Sequence, residues 1–167
     1  MPRYNSKILA IDPGTRKMGI AFFDGGKLIY HAVKVIPKRK TIHDELREAR
    51  MVVFRLIRDF KPKIMIVEKS VFGNDRSAFP LNALVNEIRA IGRRKKLEVV
   101  TFAPNTVKKQ ICGNCCADKK EVARAVIARY PELKVYLTQD RVWKEEHHQN
   151  MFDAVSLGMM IIKHEKA

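Results

Sequence analysis

The stretch from Ile8 to Asp24, ILAIDPGTRKMGIAFFD, constrains the fold more than any other part of the sequence. Ile8 to Ile11 form a continuous apolar run, which predicts a strand buried on both faces. A Pro-Gly pair then predicts a tight turn, and Met18 to Phe23 predict the return strand. Asp12 therefore stands where the first strand ends, and a carboxylate there either caps the turn or holds a hard cation.

A second carboxylate follows a second buried strand. After a third strand over Lys27 to Val35, helical spacing continues to about Phe60, and Ile64 to Val67 form a short apolar run that ends in Glu68. A strand reached through a helix is expected to lie parallel to the first strand. Because parallel strands end at the same edge of a sheet, Asp12 and Glu68 are expected to be neighbours.

The remaining elements continue the alternation of helices and strands. The pattern predicts a helix over about Ala78 to Lys95, a strand over Glu98 to Phe102 and a helix started by Pro104. A loop from Cys112 to Ala117 and a helix capped by Asp118 are expected to follow. The last helix is predicted over roughly His148 to His164, with Asp153 in its first turns. We therefore predict a single α/β domain spanning residues 1–167. Its mixed five-stranded sheet has three antiparallel strands, then two parallel ones, with helices on both faces.

The charge of the chain indicates a polyanionic partner. Lys and Arg number 33 against 18 Asp and Glu, a formal net charge of +15. This excess favours nucleic acid first and an anionic membrane surface second. The longest apolar run, Ala154 to Ile162, is too short to span a bilayer, and the N-terminus lacks an apolar signal core. Three cysteines crowded together are not a disulfide framework, so a reducing cytoplasm is expected.

The acidic motifs resemble those of a known family. Asp12 in IDPG, Glu68 closing IMIVE and Asp153 in FDAVSLGMMI are similar, in spacing and element order, to the RuvC family of Holliday-junction resolvases, which has an RNase H-like fold. The resemblance covers most of the chain. It implies a Mg²⁺-dependent endonuclease that nicks four-way DNA junctions symmetrically as a homodimer, leaving 5′-phosphate and 3′-hydroxyl ends. It also implies a branch-migration helicase as a partner.

The acids themselves predict the metal chemistry. If Asp12, Glu68 and Asp153 converge, they form an oxygen-only site, which selects Mg²⁺ or Mn²⁺ over zinc. Two such ions about 4 Å apart activate a water and stabilise the leaving oxygen of a phosphodiester. Asp12, at the centre, is expected to contact both ions.

The segment Ala103 to Val122 resembles a basic segment of the same family. The resemblance implies that Lys108 holds the DNA strand and that Lys119, near a helix N-terminus, acts in catalysis by stabilising charge on the phosphate. Further candidates for DNA binding are Lys109, Lys120 and Arg76. Phe72 is the candidate for the aromatic side chain that packs on junction bases.

One position departs from the family pattern. Asn150 stands where the family usually places an acid or a histidine, three residues before the final aspartate. An amide oxygen is a neutral ligand, so Asn150 is expected to be a weak one. His147 and His148 lie just upstream and are candidates for metal ligands or proton carriers, although such pairs are more often polar surface.

Several alternatives stay open. Asn150 also fits a module that binds branched DNA without cutting it, and TRKMGIAFFD resembles RuvX-type nucleases that act on RNA. An actin-like ATPase needs two domains around its nucleotide, more than this length supplies. Cys112 and Cys115 form a CxxC motif, with Cys116 adjacent. Without a second CxxC we interpret the three as small residues in a tight loop, zinc being the alternative.

Overall fold

A computed structural model of the chain describes residues 5–69, 76–137 and 142–164. The strands are β1 (Lys7–Asp12), β2 (Lys17–Asp24), β3 (Lys27–Val35), β4 (Ile64–Glu68) and β5 (Glu98–Phe102). The α-helices are α1 (Ile42–Phe60), α2 (Phe79–Arg94), α3 (Pro104–Cys112), α4 (Lys119–Arg129) and α5 (Val142–His164). Short 3₁₀ helices lie at Arg76–Ala78 and Pro131–Tyr136.

The five strands form one mixed sheet in the order β3-β2-β1-β4-β5. β2 pairs antiparallel with β1 and with β3, whereas β4 pairs parallel with β1 and with β5. The expected sheet, with three antiparallel strands followed by two parallel ones, is confirmed. β1 is the central strand of the sheet. Its apolar residues therefore point alternately into two hydrophobic cores, rather than alternately into a core and into solvent.

Two hydrophobic cores lie on opposite faces of the sheet. Ile8 and Ala10 of β1 belong to the core that α5 covers together with parts of α3 and α4. Leu9 and Ile11 belong to the other core, which α1 and α2 cover. Because successive side chains of a strand point to opposite faces, β1 contributes to both. The expectation of helices on both faces is confirmed.

The last helix begins earlier than the periodicity predicted. α5 starts at Val142 rather than near His148, so Asp153 lies in its middle and not in its first turns. The segment VWKEEHH has no regular apolar stripe, and hydrophobic spacing therefore missed it. Lys and Glu favour helix on their own, which accounts for helical residues ahead of the regular apolar spacing.

α5 is 23 residues long and packs along the sheet against β1, β2 and β3. Gly158 faces the ring of Phe23, and any side chain there would collide with that ring. None of the helices that the structure describes is long and apolar enough to cross a membrane.

Candidate active site

The ends of β1 and β4 bring two carboxylates together on one face of the sheet. Ile11 is paired with Val67 in the parallel register, so Asp12 and Glu68 follow at the same level. By strand alternation, Asp12 shares the face of Ile8 and Ala10 that α5 covers. By the same alternation, Glu68 lies on the face of β4 that α5 covers. Both carboxylates therefore point toward α5.

Asp153 reaches these strand ends because α5 approaches the sheet closely. Gly19 is paired with Asp12 across β1 and β2, and a Cβ at Gly19 would overlap the backbone carbonyl of Asn150. A residue without a side chain is therefore needed where α5 crosses β2. No sequence pattern singles out Gly19 as a site residue, because a glycine within a strand indicates close approach without saying what approaches.

Burial raises the proton affinity of all three carboxyl groups, and the charge of Glu68 raises that of the other two. Burial raises the pKa of Asp12 well above its ordinary range, and the charges of Glu68 and Asp153 raise it further. Burial also raises the pKa of Glu68, although a hydrogen bond with Asp12 and the charge of Lys108 oppose this. The pKa of Asp153 rises to about 6, chiefly through burial, with the charge of Glu68 adding to the effect. A cation is favoured at such a centre, because it offsets both desolvation and mutual repulsion.

Two neighbouring amides on α5 hold two of the carboxylates. The side-chain nitrogen of Gln149 donates a hydrogen bond to Oδ1 of Asp153 at 3.0 Å. That of Asn150 donates to Oδ2 of Asp12 at 3.2 Å. Asn150 thus lies beside Asp12 and contacts it through its nitrogen. Gln149 was not among the predicted site residues, and no motif in the sequence marks it.

An open cavity of 180 Å³ lies beside the carboxylates. Glu68 and Asp153 line it together with two of the predicted basic residues, Lys108 and Lys119. Its remaining walls are Pro104, Val107, Ile111, Val122 and Ser156. The cavity therefore combines acids and cations on an apolar frame, and it is open to a ligand from outside.

Local capping places Lys119 at the edge of this cavity. Lys119 is the first residue of α4, and Asp118 caps that helix. The carboxylate of Asp118 accepts from the backbone N–H of Glu121 at 2.8 Å, and Glu121 accepts from the backbone N–H of Asp118 at 2.7 Å. Such a reciprocal cap fixes where the helix begins. Lys109 and Lys120 are both exposed to solvent and follow Lys108 and Lys119 directly in the chain.

The two histidines near the start of α5 are partly buried against other aromatic rings. The ring of His148 lies 4.6 Å from that of Tyr136 and 5.1 Å from that of His147. Burial lowers the pKa of His147, and the charge of Lys17 adds to this. Within the described chain, neither histidine lines the acidic cavity. Their predicted role as ligands or proton carriers stays a prediction.

Two further candidates lie near the segment that follows Glu68. Arg76 is exposed at the start of a 3₁₀ helix that leads into α2. Phe72 lies outside the described residues, so its predicted role in packing on bases stays a prediction.

The donor set fits a divalent ion of the magnesium type. Carboxylate oxygens are the ligands that Mg²⁺ and Mn²⁺ prefer. Among the described residues, however, no three acidic, histidine or cysteine side chains already form a cluster that could hold one ion. The carboxylates therefore meet without forming a closed cage around one ion.

The three cysteines lie at the end of α3 and in the loop before α4. All are free thiols, and the sulfur atoms of Cys115 and Cys116 lie 3.7 Å apart. The loop is shaped by Asn114, whose side chain accepts a hydrogen bond from the backbone N–H of Cys116 at 2.9 Å. The interpretation of the cysteines as small residues in a tight loop stays a prediction.

Comparison with known proteins places the chain in a family. The family model for crossover junction endodeoxyribonuclease RuvC matches residues 8–139. The RuvC of Prochlorococcus marinus subsp. pastoris is 32% identical over 125 residues, which cover 72% of this chain and 80% of that protein. The chain thus spans most of the length of this relative.

Solved structures agree on the fold. The structure of Thermus thermophilus RuvC superposes with a TM-score of 0.71 at 17% identity, covering 96% of both chains. The same protein in complex with a Holliday junction substrate gives a TM-score of 0.70 at 16% identity, covering 96% of this chain and 93% of that chain. The fold is RNase H-like, and the chain belongs to the RuvC family of crossover junction endodeoxyribonucleases.

Proposed function

We propose that this protein resolves four-way DNA junctions by hydrolysing phosphodiester bonds at the acidic cavity. The observation that carries the proposal is the convergence of Asp12, Glu68 and Asp153 beside Lys108 and Lys119 in a RuvC-family chain. The family is one of divalent-metal-dependent nucleases, and a relative with the same fold has been solved with a Holliday junction bound. The formal net charge of +15 suits a DNA substrate.

We propose that the three carboxylates hold two Mg²⁺ ions, for which Mn²⁺ can substitute. When bound, the ions would supply an activated water and neutralise charge on the leaving 3′-oxygen. Asp12 is the most buried of the three, and the charges of both Glu68 and Asp153 raise its pKa. This central place makes Asp12 the ligand expected to be shared. Glu68 and Asp153 reach the cavity, so they face the substrate side.

The two lysines supply positive charge where the phosphate would enter. Lys108 and Lys119 line the cavity, and both lower the pKa of Asp153 by their charge. Lys119 also lies at the N-terminus of α4, where the helix dipole adds to the positive potential. We assign Lys119 to the charge that develops on the phosphate and Lys108 to holding the strand. Lys109, Lys120 and Arg76 are proposed to contact the DNA backbone farther out.

A homodimer is proposed because a four-way junction presents two equivalent strands. Two copies related by a two-fold axis would place one acidic cavity on each of those strands, which yields paired, symmetric nicks. Hydrolysis with a 3′-oxygen as the leaving group gives 5′-phosphate and 3′-hydroxyl ends, which a ligase can rejoin. A branch-migration helicase is the proposed partner, since a junction has to be positioned before it is cut.

The test compares substrates, metals and one substitution. The purified protein is incubated with an end-labelled synthetic four-way junction, or with linear duplex of the same sequence, in Mg²⁺ or in EDTA. We expect symmetric nicks that ligase can seal, on the junction only and in Mg²⁺ only. Asp12→Asn is expected to abolish the nicks while junction binding persists.

The same assay separates the alternatives. Tight junction binding without cleavage by the wild type, in Mg²⁺ and in Mn²⁺, would contradict the proposal and favour a binding module. Cleavage of RNA in preference to the junction would favour an RNA-processing nuclease. Salt-dependent binding alone decides nothing, because any basic protein shows it.

A further inference from the structure

Two adjacent residues of α5 each hold a different carboxylate of the acidic centre. Gln149 donates to Asp153 at 3.0 Å, and Asn150 donates to Asp12 at 3.2 Å. Gln149 and Asp153 are four positions apart and share one face of the helix. Asn150 lies about 100° further round the helix axis, toward Gly19 and the end of β1. One turn of α5 therefore contacts acids from two separate elements.

The chemistry of the amide fixes its orientation at these contacts. With a divalent ion bound the carboxylates are ionised and only accept hydrogen bonds, so each amide then has to present its NH₂ group to the acid. The oxygen of Asn150 consequently points away from Oδ2 of Asp12. In this arrangement Asn150 acts as a donor, whereas the family resemblance implied a weak metal ligand at this position.

We propose that Gln149 and Asn150 are positioning residues that hold Asp153 and Asp12 in place for the metal ions, with Asn150 serving as a hydrogen-bond donor in place of a ligand. The inference rests on the proposed function only in that it assumes a divalent ion at the three carboxylates. Each hydrogen bond restricts the rotamers of one acid, and neither adds negative charge to the centre. A fourth acid at position 150 would restore a ligand, but it would add repulsion beside the buried carboxylate of Asp12.

The first test measures Mn²⁺ affinity without DNA, from the spectrum of the free ion. Gln149→Met and Asn150→Leu remove the N–H donors with little change in volume. Groups that orient metal-binding carboxylates are typically worth about 10-fold or more in affinity, and we expect each variant to lose about that much. Asn86→Leu, at an exposed position of α2, is the matched control and is expected to bind Mn²⁺ like the wild type.

A second set changes the charge instead of removing the donor. Asn150→Asp and Gln149→Glu are each expected to lower the melting temperature of the metal-free protein and to raise its Mn²⁺ affinity. A residue that only packs would not move these two readouts in opposite directions. Asn86→Asp is expected to change neither.

A third measurement uses the unsubstituted protein and so does not depend on how the variants fold. The side-chain NH₂ resonances of Gln149 and Asn150 are followed by NMR as Mg²⁺ is added. We expect slow solvent exchange of both before and after loading, because the N–H groups stay bonded to the carboxylates.

Three results would overturn the inference. The first is that Gln149→Met or Asn150→Leu binds Mn²⁺ as tightly as the wild type. The second is that Asn150→Asp and Gln149→Glu change neither the melting temperature nor the Mn²⁺ affinity. The third is that the NH₂ group of Asn150 is released on loading, as its oxygen turns to the ion. None of these readouts involves DNA. A wild type that binds Mn²⁺ as expected but cuts no junction would therefore contradict the proposed function and leave this inference standing.

Discussion

Gly19 of β2 lies directly against the backbone carbonyl of Asn150 in α5, with no room between them for a side chain. Gly19 is also the residue paired with Asp12 across the sheet. The contact therefore sets how closely the helix that carries Asp153 approaches the strand that carries Asp12. A glycine with no chemistry of its own thus influences whether the carboxylates meet.

Gly19→Ala is expected to disrupt both the fold and the site. The added methyl group has to push α5 away from β2, which we expect to cost about 1–3 kcal/mol of unfolding free energy, as overpacking does. Displacing Asn150 from Asp12 should weaken Mn²⁺ binding about 10-fold or more. Gly158→Ala is the control, since its methyl group also forces α5 away from β2, by colliding with Phe23, but away from the acids. Equal Mn²⁺ affinities for the two variants would contradict the assignment.

Asp153→Asn is expected to stabilise the metal-free protein at neutral pH. The pKa of Asp153 is about 6 in the folded protein against an ordinary 3.8, so the folded state holds its proton more tightly than the unfolded state. The contribution of this group to the unfolding free energy is thus fully present below about pH 4 and is lost as the pH rises through about 6. The loss amounts to up to about 3 kcal/mol, at roughly 1.4 kcal/mol per pKa unit. Thermal melts in EDTA between these pH values measure the slope of stability against pH.

The substitution should flatten that slope, because asparagine does not ionise. Glu146→Gln, which removes an exposed acid of the same helix, is the control and should leave the slope unchanged. Adding Mg²⁺ at pH 7 should raise the melting temperature of the wild type much more than that of Asp153→Asn. Parallel pH curves for the wild type and Asp153→Asn would show that the carboxylate is not desolvated as described.

Lys119→Met is expected to slow junction cleavage by about 100-fold, the usual cost of losing one group that stabilises developing charge. Lys120→Met is the matched control: both lysines are exposed and adjacent in the chain, but Lys119 lines the acidic cavity and Lys120 does not. The control should mainly weaken binding and reduce its salt dependence. Single-turnover rates at saturating protein separate the two effects, and similar rates for both variants would remove Lys119 from catalysis.

Asp118→Ala tests whether the cap of α4 positions Lys119. Loss of the cap should cost about 1 kcal/mol of unfolding free energy, since the N–H of Glu121 loses its acceptor. Cleavage should fall as well, because the first turn of α4 frays with Lys119 in it. Asp118→Ser keeps a capping oxygen and should restore both properties. Failure of serine to rescue would mean that the charge of Asp118, rather than the cap, is what counts.

The cysteines are expected to be dispensable for metal binding and cleavage. A variant with serine at Cys112, Cys115 and Cys116 should cut junctions like the wild type, because these thiols lie in a loop that the backbone and Asn114 already shape. Elemental analysis of the purified wild type should find no bound zinc. Stoichiometric zinc that disappears in the serine variant would instead establish a structural metal in this loop.

Much of the fold could be predicted from local pattern. The apolar runs before Asp12 and Glu68 indicated buried strands, and the helix between them indicated a parallel pair, so the meeting of these two acids followed from chain order alone. Strand alternation then put both on one face. Hydrophobic periodicity failed for the start of α5, because the segment VWKEEHH has no regular apolar spacing.

The sequence by itself thus determined the elements, the sheet and the three acids, since each depends on local periodicity or on a motif with its own spacing. Only the tertiary structure decided what surrounds those acids. The donor role of Asn150, the contribution of Gln149 and the need for Gly19 all depend on the distance between α5 and the sheet. That distance is set by side-chain packing between residues far apart in the chain, which no local pattern records.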